Sequence, residues 1–155
     1  MSGFFKAFLY AGQGIIAAVK SQRNLRIHIT AAVYVTVFSF FYELSGTDYV
    51  LLMLTFSSVI AAELINTAVE AAVDICSPEK SSLAKLAKDA AAGAVLVTAV
   101  FAVIVGLIMF LDVDVIRSIV VYYAGNIPAL MGLAVSAVLS VLFIVYPRKD
   151  KKERK

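Results

Sequence analysis

Charge is scarce in this sequence. Only 16% of its 155 residues are Asp, Glu, Lys or Arg, 61% are apolar, and the mean hydropathy is +0.90. A soluble domain is usually about 25% charged, so an ordinary soluble globule and a disordered chain are both excluded. The only cysteine, Cys76, excludes an internal disulfide and a CxxC site and reads as an interfacial packing residue. Eight glycines and three prolines exclude a collagen-like chain. No central apolar run with an A-x-A site opens the chain, so no cleavable signal peptide is expected. The only histidine, His28 beside Arg26, reads as a polar residue at a helix start.

What the sequence does have is long uncharged stretches. A membrane-spanning helix takes about 20 mostly apolar residues. Four segments qualify: one rich in Val and Phe over about 27–45, one over 49–75, one over 85–111 that is uncharged from Ala90 on, and one within 118–147. Gly125, Asn126 and Pro128 place the start of the last near Ile127, after a short turn or surface helix. Before the first span, residues 4–20 carry Phe4, Phe5, Phe8, Leu9, Ile15 and Ile16, the apolar stripe of a helix lying on a membrane surface. Gly12 and Gly14 weaken that helix by about 1 kcal/mol each. GQGIIA resembles GxGxxA, but no strand precedes it and no βαβ unit follows. The expected fold is an all-α integral membrane bundle with one surface helix and four spans.

Basic residues fix the orientation. Lys6, Lys20, Arg23 and Arg26 precede the first span, and Lys80, Lys85 and Lys88 lie between the second and third. Six more occupy the tail after Pro147, so thirteen of the fourteen fall on one side. The positive-inside rule then puts both termini in the cytoplasm, as in a multi-pass protein of the inner membrane. The net charge of +3 follows from topology, and the basic tail suits anionic lipid headgroups rather than nucleic acid. The aromatics Tyr34, Phe38, Phe40, Phe41 and Tyr42 read as lipid contacts and an interface belt. Gly93 and Gly106 read as points of close helix contact.

The second span carries AELINTAVEAAVD, residues 62–74. Glu63, Asn66, Thr67, Glu70 and Asp74 recur at helical spacing and share one face. They form a polar stripe roughly 16 Å long. A carboxylate at the centre of a spanning helix costs at least ~2.5–3.5 kcal/mol, so three on one face need compensation. A purely structural reading pairs them with Lys85, Lys88 and Arg26 in an interfacial ion cluster. A functional reading makes them oxygen ligands suited to Mg²⁺, which uses one or two carboxylates plus substrate phosphates. The next helix, which Ser81 or Ser82 can cap, presents Lys85, Lys88 and Asp89 on one face. Together the two segments offer cations for a nucleotide and carboxylates for its metal.

AELINTAVEAAVD followed by AKLAKDAAAGAV resembles the signature of the prokaryotic diacylglycerol kinase and undecaprenol kinase family, small membrane lipid kinases without a Walker motif. The resemblance covers roughly residues 4–111. It implies ATP as phosphoryl donor, Mg²⁺ as cofactor, a lipid alcohol as acceptor and a homotrimer with sites shared between subunits. It also implies roles: Glu63 as general base, Asn66 beside it, and Glu70 as metal ligand. Lys88 and Asp89 would contact the nucleotide, with Glu79 in its loop and Tyr10 nearby. SQRNLRIH resembles the family's S-E-R-N-x-R-I-H but has Gln22 where the family has a metal-binding Glu. Gln22 offers a carbonyl oxygen without charge, leaving the metal to Glu70, phosphates and water. The fourth span, about 112–147, is additional to the family's three. Undecaprenol is the expected lipid, with diacylglycerol as the alternative. An oligomeric ion or proton conduit and a catalytically inactive relative are the readings from other classes.

Overall fold

The computed structural model describes residues 3–77 and 81–146. These form six helices in chain order: α1 (Gly3–Ser21), α2 (Arg23–Ser39), α3 (Gly46–Cys76), α4 (Ser82–Phe110), α5 (Val113–Gly125) and α6 (Ile127–Val145). The fold is the expected all-α bundle. By length and composition α3, α4 and α6 can each cross a membrane. α2 has 17 residues, the lower end of the spanning range, and stops six residues short of the expected span. It stops because Phe41 and Tyr42 donate to the Phe38 and Ser39 carbonyls at 3.1 and 3.0 Å, tight turns that use up its last carbonyls. The Ser45–Asp48 capping box then starts α3. Gly12 and Gly14 leave α1 unbroken.

α4 packs most extensively on α3, α3 on α2, and α2 on α6, while α1 lies over α2 and α3. Contacts at the helix ends give the directions. Asp74 at the end of α3 meets Lys88 at the start of α4. Arg26 at the start of α2 meets Ile144 at the end of α6. At the opposite end the Tyr42 hydroxyl donates to the Phe110 carbonyl at 2.8 Å. Consecutive long helices are therefore antiparallel. The end of α1, the start of α2, the end of α3 and the end of α6 share one end of the bundle, the end that also carries most of the described basic residues.

The interior is small and polar. Eight of the described residues are buried, and four of them, Arg26, Ser39, Glu63 and Asn66, are polar or charged. The helix flanks turned outward are apolar, as membrane lipid requires. Because lipid is as apolar as leucine, such helices associate through packing and polar contacts rather than hydrophobic burial. Two polar contacts fix α6. Tyr34 shares a 3.0 Å hydrogen bond with Ser136, and Ser140 donates to Tyr34 at 3.3 Å. The buried Arg26 guanidinium donates to the carbonyls of Val19 and Lys20 in α1 and of Ile144 in α6, at 2.8–3.3 Å. Those are last-turn carbonyls that have no partner within their own helices, and a cation there also meets the negative end of each helix dipole.

Several sequence expectations are corrected here. Arg26 bonds main-chain carbonyls and, among the described residues, takes no part in a carboxylate cluster. Phe38 packs against Tyr123, and Phe41 against Tyr122 and Tyr123, of α5 in tilted or edge-on geometry, and Tyr34 bonds α6, so these are intramolecular contacts where lipid contacts were expected. Cys76 is exposed. A Cβ added at Gly93 or Gly106 would meet nothing within 4 Å, so neither glycine serves a close helix contact inside this subunit. Ser81 is at the N-cap of α4 but makes no side-chain cap bond.

Replacing Arg26 with Ala is expected to destabilise the fold by about 3 kcal/mol, because buried hydrogen bonds to a charged group are lost and the carbonyls are left unpaired. Lys, a single point charge without the planar fork, is expected to recover less than half. Thermal unfolding of the three forms in detergent measures both effects.

Candidate functional site

Glu63 lies on α3 where that helix crosses α2. It is 2% exposed, and its Oε1 stands 3.4 Å from His28 Nε2 without a hydrogen-bond partner. One turn on, Asn66 is also buried. Its Nδ2 donates to Glu70 Oε1 at 3.0 Å, and its Oδ1 is buried without a hydrogen bond. Thr67 returns its hydroxyl to the Glu63 carbonyl, so it holds the helix rather than a ligand. Glu70 is half-buried. Asp74, a turn further, is exposed and ion-paired to Lys88. Burial thus declines steadily along the stripe, from Glu63 inside to Asp74 at the end of the helix.

Two buried oxygens without partners, side by side on one helix face, are costly. Each unsatisfied buried polar group costs ~1–3 kcal/mol, and native structures retain few of them. One of them belongs to Glu63, the one buried carboxylate of the described residues.

An apolar cavity of about 270 Å³ lies between α2, α3 and α4, and His28, the neighbour of Glu63, is part of its lining. Its walls include Val35, Leu52, Phe56, Val59 and Ala102, and His28 is its one titratable lining residue. Val59 and Ile60 lie one turn before Glu63 on the same face of α3. The polar stripe therefore ends where the apolar groove begins.

The other expected site residues are placed less centrally. Gln22 is half-buried at the α1–α2 junction, where it occupies the N-cap of α2 without a side-chain cap bond. Tyr10 is 64% exposed on α1, and Asp89 and Lys85 are exposed on α4. Among the described residues no side-chain hydrogen bond or ion pair joins Tyr10, Gln22 or Asp89 to Glu70. Glu79 lies outside the described residues. His28 is the residue whose importance the sequence hid: it is a lone histidine, and only the crossing of α2 and α3 brings it to Glu63, 35 positions away in the chain.

No group of three or more His, Cys, Asp or Glu side chains among the described residues could cage a metal. The donors that are present suit a different kind of site. Glu70, held by Asn66, and the Gln22 side-chain carbonyl are hard oxygen donors. Mg²⁺ typically takes one or two carboxylates and completes its shell with water and phosphate oxygens; Glu70 is a donor of that kind, and no side-chain hydrogen bond or ion pair among the described residues joins Gln22 to it.

Residues 9–110 match the model of the prokaryotic diacylglycerol kinase family. The chain is 42% identical over 111 residues to an undecaprenol kinase of Bacillus subtilis, a match that covers 72% of this chain and 90% of that one. It is 44% identical over 101 residues to a diacylglycerol kinase of Synechocystis, covering 64% of this chain and 58% of the relative. A diacylglycerol kinase of Helicobacter pylori is 32% identical over 97 residues, covering 63% and 76%. The family match ends at residue 110, so α5 and α6 lie outside it.

The two ends of the stripe are expected to respond differently to neutralisation. Asp74→Asn breaks an exposed ion pair and is expected to lower stability by no more than about 1 kcal/mol. Glu63→Gln keeps the shape of a buried carboxylate whose Oε1 makes no hydrogen bond and lowers its desolvation cost, and is expected to leave stability unchanged or raise it. Unfolding midpoints in detergent at one pH distinguish this from a structural role for Glu63, which requires a clear loss.

Proposed function

The chain belongs to the prokaryotic diacylglycerol kinase family and is a membrane lipid kinase, and from that premise we propose that it phosphorylates undecaprenol at the cytoplasmic face of the inner membrane, with Glu63 as general base. The observation that supports this reading is the buried Glu63 carboxylate, one turn beyond the groove residues Val59 and Ile60 and beside His28, which lines the groove. A lipid alcohol entering from the bilayer can lay its first chain segment in the groove and bring its hydroxyl to the carboxylate.

In the proposed reaction Glu63 takes the hydroxyl proton. The lipid oxygen bonds to the γ-phosphorus of ATP as the bond to the β–γ bridging oxygen breaks. Phosphoryl transfer asks the protein for positioning and charge stabilisation more than for covalent chemistry. Asn66 fixes the Glu70 carboxylate, and Glu70 with Gln22 would hold Mg²⁺. When bound, that ion neutralises phosphate charge. Lys88 and Asp89, with Glu79 and Tyr10 as further contacts, would hold the nucleotide. For Lys88 this means exchanging Asp74 for a phosphate, a small loss because the pair is exposed.

Undecaprenol ranks first because the undecaprenol kinase relative matches over most of its own length. Diacylglycerol is the second reading and rests on the other relatives. A homotrimer remains our proposal for the assembly; α4, which buries no residue within the subunit, offers it a free flank. A conduit is disfavoured, since the groove beyond Glu63 is apolar and provides no polar path across the bundle among the described residues.

Glu63→Gln is expected to lower ATP-dependent lipid phosphorylation by ~10²–10⁴-fold, the usual worth of a general base, in protein that still folds. Radiolabel transfer to lipid in mixed micelles measures it; full activity in that variant contradicts the assignment. Gln22→Glu adds a charged ligand and is expected to lower the Mg²⁺ concentration needed for half-maximal activity by about tenfold. An unchanged Mg²⁺ requirement would place Gln22 outside the metal shell.

A further inference from the structure

His28 is the point where the two parts of the site meet. Its Nε2 stands 3.4 Å from Glu63 Oε1, an oxygen with no hydrogen-bond partner among the described residues. The same imidazole lines the polar end of the apolar groove. Its neighbours on α2 at the next turn, Ala31 and Ala32, are groove walls, just as Val59 and Ile60 are on α3. His28 and Glu63 are thus equivalent positions on facing helices: each is the last residue of its helix face before the apolar walls begin. His28 is half-buried, with a side chain 25% exposed, and it is the titratable residue of the groove lining.

We propose that His28 is a positioning residue of the phosphoryl-transfer reaction, one whose imidazole engages one oxygen of the Glu63 carboxylate and directs the other at the lipid hydroxyl emerging from the groove. This rests on Glu63 being the base. A carboxylate on a two-bond stem rotates freely unless one oxygen is anchored. The ion-pair partner of Glu63 among the described residues is a ring nitrogen carried by a different helix. An N–H donor at that distance closes to a hydrogen bond with a shift of a few tenths of an ångström, and catalytic hydrogen bonds often tighten only once substrate is bound. A ring is also rigid, so the position of α2 is transmitted to the carboxylate. A loss of orientation of about 1 Å costs roughly 10²-fold in such reactions.

The test compares wild type, His28→Leu and His28→Gln in detergent–lipid micelles with undecaprenol and ATP, separating kcat from KM for each substrate. His28→Leu removes the donor and keeps the bulk, and is expected to lower kcat by at least tenfold while leaving KM for ATP within twofold. His28→Gln keeps an N–H donor at a similar reach, and is expected to recover at least a third of the lost kcat. Equal losses in Leu and Gln variants that keep the wild-type unfolding midpoint overturn the proposal, as does a Leu variant with kcat within twofold of wild type. If Leu fails to fold, the Gln variant alone decides: a kcat below a tenth of wild type with a normal unfolding midpoint also overturns it. Wild type without lipid phosphorylation would instead overturn the reading of the site on which the proposal depends.

Discussion

Arg26 is the one buried cation among the described residues, and it pairs with no carboxylate among them. Its charge is spread over carbonyls from two helix ends, Val19 and Lys20 of α1 and Ile144 of α6. Main-chain carbonyls at a helix end must find partners when water is excluded, and the guanidinium, with five donors in a fixed fork, serves several at once. It thereby fixes where α1 lies, where α6 ends and how α2 enters the bundle. Two residues along α2 is His28, and across from it is Glu63. The geometry of the candidate site therefore depends on this joint. The joint also ties α6, a helix beyond the family match, to the part that the family shares.

The bundle reverses the usual order of a soluble protein. Apolar side chains point outward, and half of the buried residues are polar. Some of that interior polarity is fully used: Arg26 on carbonyls, Ser39 on the Thr36 carbonyl. Glu63 and Asn66 are different, because each keeps an oxygen without a hydrogen bond. A bundle held together only for stability has no reason to retain those two oxygens where lipid meets protein. A kinase for a lipid alcohol does, since the acceptor hydroxyl has to lose its proton at the depth where the lipid chain keeps it.

Much of this was legible in the sequence. Uncharged runs gave α3, α4 and α6, Asn126 and Pro128 marked the start of α6, and the spacing of Glu63, Asn66 and Glu70 gave a single polar face. What could not be read was everything that depends on how helices cross. The Arg26 carbonyl contacts join residues up to 118 positions apart, and main-chain acceptors have no sequence signature. His28 looked ordinary because its meaning comes from Glu63 on another helix. The α2 boundary moved inward because tight turns at Phe41 and Tyr42 ended the helix where the apolar pattern continued. Tyr34 and Phe38 looked like lipid contacts because α5 and α6, their partners, lie about 100 residues away.

The proposed reaction requires a lipid alcohol in the groove with its hydroxyl at Glu63, and undecaprenol is the proposed alcohol. The most direct measurement is transfer of the γ-phosphate of labelled ATP by the purified full chain, in micelles containing undecaprenol or diacylglycerol at equal mole fraction. Labelled undecaprenyl phosphate is expected, with kcat/KM for undecaprenol at least tenfold above that for diacylglycerol. Preference for diacylglycerol would contradict the substrate assignment, and label in neither lipid would contradict the account as a whole.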